Sequence, residues 1–402
     1  MDVTDVLARL SSPEGRADPY PLYAALHEIG EAVETGPGEA MVVGYDAINS
    51  VLRDPGFRVS DATRFDETYP GWRAEPVFIQ CVDWILSLNE PRHPRIRSVI
   101  ARAFTPRRIA SLEPAITAIV DELLNVMADR GADGSPVEFM HDFAYLLPVT
   151  VICELLGIPE ADREGFRPLA RDLTGFFELT DTHTMPAINA AATGLLDYFT
   201  SLAAKRRADP GDDLLSDLLA VSDSGSGKLT SAELLHNLTL LLFAGFETTK
   251  NLLGNGLHIV LRDPPSGAAV TGRLVPPSAF VEEVLRFDSP AQLTTRIGYD
   301  TEVGGVRVRS GAEVTTVLGA GNRDPRRFAD PDRFDPMRTD GGSLSFGGGA
   351  HFCIGAALAR LEGAVAFPRL LNRFPKIAMA GEPVRRDRFV LRGFDELPVT
   401  VA

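Results

Sequence analysis

Phe346-Gly347-Gly348-Gly349-Ala350-His351-Phe352-Cys353-Ile354-Gly355, near the C-terminus of a 402-residue chain, decides the fold. Three consecutive glycines let backbone N–H groups turn toward the one sulfur, because no Cβ stands in the way. A helix-forming stretch follows at once, Gly355-Ala356-Ala357-Leu358-Ala359-Arg360-Leu361-Glu362. The positive end of that helix favours thiolate over thiol, and a thiolate is a metal ligand. The other two cysteines, Cys81 and Cys153, sit in ordinary apolar surroundings and read as buried packing residues.

Upstream, Thr230-Ser231-Ala232-Glu233 reads as a capping box that opens a helix of about 30 residues. Asp263-Pro264-Pro265 ends it. Leu234, Leu238, Leu241, Gly245, Thr248 and Leu252 recur at helical spacing and define one face. Gly245 and Thr248 interrupt an otherwise apolar stripe. A mid-helix glycine costs about 1 kcal/mol relative to alanine, so something must offset it. In Ala244-Gly245-Phe246-Glu247-Thr248-Thr249 a carboxyl able to relay protons adjoins a hydroxyl that both donates and accepts.

Between this helix and the glycine loop lie Glu283-Val284-Leu285-Arg286 and Pro331-Asp332-Arg333-Phe334. The first puts opposite charges at i and i+3 on a helix. An earlier segment, Leu88-Asn89-Glu90-Pro91-Arg92-His93-Pro94-Arg95-Ile96-Arg97, opens another helix.

Together these segments resemble the cytochrome P450 family. Every fixed position of its cysteine loop, Phe-Gly-x-Gly-x-His-x-Cys-x-Gly, is matched, and the Gly245–Thr248 region is similar to its oxygen-binding motif. The likeness runs from Asp18-Pro19-Tyr20 to Leu397-Pro398-Val399 and is strongest to bacterial members that tailor polyketides and macrolides. It implies a mainly α fold with a smaller β region, the cytochrome P450 fold, with haem b (iron protoporphyrin IX) between the long helix and the cysteine helix. Cys353 would be the iron ligand. Thr248 and Glu247 would handle protons, and Ala244, Gly245, Phe346 and Gly355 would adjoin the haem. His93, Arg97, Arg296 and His351 match the positions that hold the propionates. Glu283 and Arg286, completed by Arg333, match a structural network that supports the cysteine loop. Two departures are Glu247 where many members have Asp, and Asn89-Glu90 where many have Asp-Pro.

Family topology lines the substrate space with Phe78, Ile79, Trp84, Ile85, Leu240, Phe243, Gln292, Leu293, Thr294, Val390 and Leu391, and makes Thr174–Glu178 a lid. The implied reaction hydroxylates or epoxidises a hydrophobic small molecule, a polyketide- or macrolide-like intermediate, with O2. Electrons would come from a ferredoxin and its ferredoxin reductase. Arg95, Arg102, Arg107, Arg108 and Arg360 could form the basic surface that attracts the ferredoxin. Two alternatives stay open: a haem-thiolate oxidase that performs coupling, desaturation or ring closure, and a P450-shaped recruitment module without turnover.

Composition bounds the rest. Charged residues sum to −15, which disfavours nucleic acid as a partner. Three widely spaced cysteines make neither a disulfide framework nor a zinc cluster, so the compartment is expected to be reducing. The acidic N-terminus has no signal-peptide pattern. The longest apolar run, about Phe143 to Ile158, is broken by Pro148 and Glu154 and is too short to span a membrane. A cytoplasmic monomer is expected, one domain over 1–402, with no fused reductase. Ala40 to Val43 reads as a strand, Tyr45 to Asp54 as a helix, Ser60 to Val82 as a long loop, and Gln292 to Leu318 as strands with a Gly304-Gly305 turn. The remaining histidines, His27, His141, His183, His236 and His258, form no ligand set and read as structural.

Overall fold

The computed structural model describes residues 2–177, 185–225 and 227–401. His183, Glu178 and Ser226 lie outside the described residues. Helix makes up 59% of the described residues, which sets the class as mainly α with small sheets. The chain divides into two compact units. One comprises Met1–Arg58, Ala110–Leu147 and Thr248–Ala402; the other comprises Val59–Ile109 and Pro148–Glu247.

The first unit holds the main sheet. Strand Ala32–Gly36 pairs antiparallel with Glu39–Val42, which runs parallel to Glu313–Thr316, which in turn pairs antiparallel with Thr294–Ile297. Arg296 faces Val314 in that register. The hairpin Thr301–Val303 and Val306–Val308 turns through Gly304 and Gly305 at φ 53° and 85°, the positive values that a tight two-residue turn requires. Val42, Ile48, Val51, Val314 and Leu318 are buried beneath the sheet, so Tyr45–Arg53 is seated by its apolar face. The cysteine helix, Ala356–Arg373, packs on Pro277–Phe287 and on Glu113–Arg130.

The second unit is helical. Its segment 60–82 is not the long loop that composition suggests. Ala62–Thr68 and Pro76–Cys81 are helices. Asp61 caps the first by accepting from the Thr63 and Arg64 N–H groups (3.1 and 3.3 Å). Neither is long enough to build a periodic apolar stripe, and the first buries no residue at all.

The long helix spans Ser231–Arg262, and the division between the units falls within it. Its capping box forms as the sequence indicates: Glu233 N–H donates to Thr230 Oγ1 (3.2 Å), and Thr230 N–H donates to Glu233 Oε2 (3.0 Å). Among the described residues no helix is long and apolar enough to cross a membrane.

Candidate active site

Cys353 is exposed, whereas Cys81 and Cys153 are buried. The sulfur sits at the mouth of a tight loop. Gly347 and Gly349 have φ of 68° and 62°, which any side chain would strain. A Cβ on Gly349 would also stand 2.2 Å from the Leu52 carbonyl oxygen. The loop closes through Cys353 N–H to the Phe346 carbonyl (2.9 Å), and Gly355 caps the cysteine helix directly behind the sulfur. Phe346 is half-buried and carries the Arg360 guanidinium over its ring at 4.4 Å. His351 ends the short turn Gly349–His351 and is half-buried.

Serine and asparagine side chains tie this loop to the helix beneath it. Ser345 Oγ donates to the Leu285 carbonyl (2.6 Å) and accepts from Asn322 Nδ2 (2.9 Å). Asn322 Oδ1 accepts from Leu344 N–H (2.6 Å). Arg286 Nε and Nη2 reach the two Glu283 oxygens at 2.7 and 2.8 Å, and its remaining N–H groups satisfy the carbonyls of Asn322, Pro331 and Arg333. Both side chains are almost fully buried, and so many bonds are what buried charges require.

The third member of this network is Arg338, not Arg333. Arg338 Nε stands 2.9 Å from Glu283 Oε2, an ion pair without ideal hydrogen-bond aim, and its side chain is 9% exposed. The Arg333 side chain is 66% exposed and pairs with Asp335. Arg333 contributes its carbonyl, because the chain turns back after Pro331 and brings the later arginine inward. Arg338, Ser345 and Asn322 were not singled out from the sequence. Only a buried-polar pattern around the loop could have marked them.

Arg296 is 5% exposed, and burial lowers its pKa to about 10. Its Nη1 donates to Thr294 Oγ1 (3.0 Å) and to the Thr295 carbonyl (2.8 Å). No acidic side chain pairs with it among the described residues. A buried guanidinium without a counter-ion calls for an anionic ligand group.

In the other unit, His93 and Arg97 share one face of Arg92–Ile100 at i and i+4. Burial, and then the charge of Arg97, hold His93 below the ordinary imidazole pKa. Asn89, the departure from the family pattern, clamps a neighbouring segment: its Oδ1 accepts from Val59 N–H and its Nδ2 donates to the Val59 carbonyl (both 3.0 Å).

On the long helix, Ala244, Gly245 and Thr248 form a part-exposed stripe, whereas Phe243, Phe246, Glu247 and Thr249 are buried. A Cβ on Gly245 would lie 2.7 Å from Ile152 Cγ1, so close packing offsets the cost of this glycine.

The expected pocket residues separate. Trp84, Ile85, Leu240, Phe243, Leu293 and Leu391 are buried, and Phe78, Thr294 and Val390 are half-buried. Gln292 N–H donates to the Val390 carbonyl (2.8 Å), which brings the two expected lining segments of the first unit together. Two residues fall away. Gln292 spends its amide on the fold, accepting from Tyr23 OH (3.1 Å) and donating to the Ser289 carbonyl (2.7 Å). Ile79 is 44% exposed, because it lies on the outer side of its short helix.

The expected basic surface is also smaller than composition suggests. Arg95 pairs with Glu233 (2.6 Å), Arg108 with Asp217 (2.8 Å), and Arg360 with Glu282. Arg102 and Arg107 remain exposed without an acidic partner among the described residues. The described histidines outside the site are held in the fold: His27 against the Ala320 carbonyl, His141 and His236 against Asp142 and Asp83, and His258 against the Phe394 ring.

A mainly α chain that presents a cysteine on a glycine loop at a helix N-terminus has a site suited to a thiolate metal ligand. The cytochrome P450 family profile matches residues 277–391. The chain is 39% identical to cytochrome P450 monooxygenase PikC of Streptomyces venezuelae, over 95% of this chain and 91% of that one. It is 36% identical to 6-deoxyerythronolide B hydroxylase of Saccharopolyspora erythraea, over 97% and 98%. Among solved structures it is similar to P450BioI in complex with hexadec-9Z-enoic acid ligated acyl carrier protein, with a TM-score of 0.90, 34% identity, and 97% and 100% coverage. The chain belongs to the cytochrome P450 family and is a P450 monooxygenase. Membership implies a haem cofactor, dioxygen and redox partners. The residues fit such a group: an exposed sulfur on a rigid loop suits the iron, and the uncompensated Arg296 cation suits a propionate.

Proposed function

We propose that residues 1–402 form one P450 domain that hydroxylates or epoxidises a hydrophobic small molecule, a polyketide- or macrolide-like intermediate. In this reading the cofactor is haem b, and a ferredoxin with its reductase delivers the electrons. The carrying observation is the exposed Cys353 sulfur, held between positive-φ glycines and the N-terminus of Ala356–Arg373. That helix end favours the anionic sulfur as axial ligand. Arg296, His351, His93 and Arg97 would hold the propionates. Ala244, Gly245, Phe346 and Gly355 would adjoin the ring. Bound haem supplies the redox iron at which dioxygen is reduced.

The protein's own residues then govern protons and water. Thr248 Oγ1 can hold a proton on the part-exposed stripe of the long helix. Glu247, buried on the next position, can replace that proton once it is used. Phe346 would shield the sulfur from water on one side of the loop. The relatives named above support a secondary-metabolite substrate, since one of them is by name a hydroxylase of 6-deoxyerythronolide B.

The test is spectroscopic and kinetic. The ferrous carbon monoxide complex is expected to give the thiolate-type band, lost in Cys353→Ala. Thr248→Ala is expected to lower product formed per reductant consumed by about tenfold, with peroxide released instead. An unshifted, nitrogen-type band in the wild type would overturn the ligand assignment. Unchanged coupling in Thr248→Ala would overturn the proton role.

A further inference from the structure

Three rings in the second unit stack with near-parallel, offset planes. Trp84 and Phe177 lie 5.9 Å apart with planes at 17°, and Phe177 and Phe243 lie 5.2 Å apart at 8°. Phe176 meets Trp84 edge-on at 5.6 Å and meets Phe78 at 5.1 Å, closing one side. Trp84 and Phe243 are buried, but Phe177, the ring between them, is half-exposed. Phe243 directly precedes Ala244 and Gly245, so the stack abuts the open stripe of the long helix.

Two further facts separate this stack from ordinary core packing. The residues on either side of Trp84 are anchored by side chains of the long helix. Ile85 N–H donates to Asn237 Oδ1 (2.9 Å), Asn237 Nδ2 donates to the Asp83 carbonyl (2.7 Å), and His236 meets Asp83 at 2.9 Å. Yet Trp84 Nε1–H is fully buried and has no acceptor among the described residues. A buried indole N–H ordinarily finds a partner, and leaving it without one opposes folding. The rings that surround it offer only aromatic edges and faces.

We propose that the space between Trp84 and Phe243, occupied here by Phe177, is a substrate slot. Its ligand is a flat, conjugated ring system with a hydrogen-bond acceptor on its edge. The substrate ring displaces Phe177, stacks between Trp84 and Phe243, and accepts the Trp84 N–H. This rests on the monooxygenase reading above and narrows its substrate to molecules with a planar aryl or conjugated carbonyl portion.

Calorimetric titration of the haem-loaded enzyme with three probes tests it: chromone (flat, with an acceptor), naphthalene (flat, without one) and 1-decalone (an acceptor on a saturated frame). Chromone is expected to bind about tenfold tighter than 1-decalone, from two ring faces. It is expected to exceed naphthalene by about tenfold, from the satisfied N–H. Trp84→Phe keeps a ring and is expected to erase the advantage over naphthalene. Phe177→Ala vacates the slot and is expected to tighten both flat probes about threefold while leaving 1-decalone unchanged. The proposal is overturned if 1-decalone equals chromone, if Trp84→Phe preserves the chromone to naphthalene ratio, or if Phe177→Ala weakens the flat probes. Should Trp84→Phe not fold, Phe177→Ala decides alone. The carbon monoxide spectrum of the same preparation reports separately on the haem-thiolate reading.

Discussion

Arg296 is a cation in the wrong solvent. Its pKa is lowered to about 10 because burial strips water from a guanidinium that only a hydroxyl and a carbonyl replace. Without an anion nearby, that charge opposes folding. Arg296→Leu is therefore expected to raise the melting temperature of the haem-free chain while weakening haem retention, read by calorimetry and by haem transfer to an acceptor globin. A fall in both would mean that the arginine serves the fold alone. Arg338 and Arg333 give a sharper contrast. Removing the buried Arg338 takes away the second cation on Glu283, which keeps Arg286, and the partner of Asp340, so Arg338→Ala is expected to cost about 2 kcal/mol in denaturant unfolding. Arg333→Ala, at an exposed side chain, is expected to cost less than about 0.5 kcal/mol. Equal losses would refute the assignment of the third network member.

The long helix shows which elements were legible beforehand. Its capping box, its length and its interrupted stripe are local signals written within one or two turns, and each has its counterpart in the structure. Gly245 and Thr248, which break the apolar stripe, are also where the buried face opens. The Gly304-Gly305 turn was legible for the same reason, since two adjacent glycines permit the positive φ values. The helices Ala62–Thr68 and Pro76–Cys81 were hidden because their stability comes from a cap and from neighbours, not from a periodic face. Arg338 was hidden because the return of the chain after Pro331 is a tertiary fact. The helix start also carries a pH dependence. Burial tends to raise the Glu233 pKa, but Arg95, the Thr230 N–H and Arg92 prevail and bring it to about 2, below its ordinary 4.5. A depressed carboxyl stabilises the fold above its unfolded pKa and loses that contribution as pH falls through the folded one. The stability gap between wild type and Glu233→Gln is therefore expected to be widest above about pH 5 and to close toward about pH 2. A gap that stays constant across that window would show that the carboxylate charge is not what holds the cap.

Over the whole molecule, a net charge of −15 repels an acidic partner except where basic residues stand unpaired. Arg102 and Arg107 meet that condition, while Arg95, Arg108 and Arg360 are held by acids. The double variant Arg102→Glu, Arg107→Glu is expected to lower the rate of reduction by the proposed ferredoxin donor by about tenfold at low salt, and much less at high salt, with substrate affinity unchanged. Insensitivity to ionic strength would place the docking surface elsewhere. The family's chemistry was legible from ten residues around Cys353, because a metal ligand demands a local scaffold. The substrate was not, because the rings that would select it come from segments far apart in the chain.

The three sulfurs also differ in a way that has a practical use. Burial pushes the Cys81 and Cys153 thiols up to about 12, and both are enclosed, so at neutral pH they are nearly inert to alkylation. Cys353 alone lies open, and an iron bond would mask it. A maleimide count on the native enzyme would thus tally the molecules that have lost their prosthetic group, so that one reagent reports the loading of a preparation with no spectrum at all.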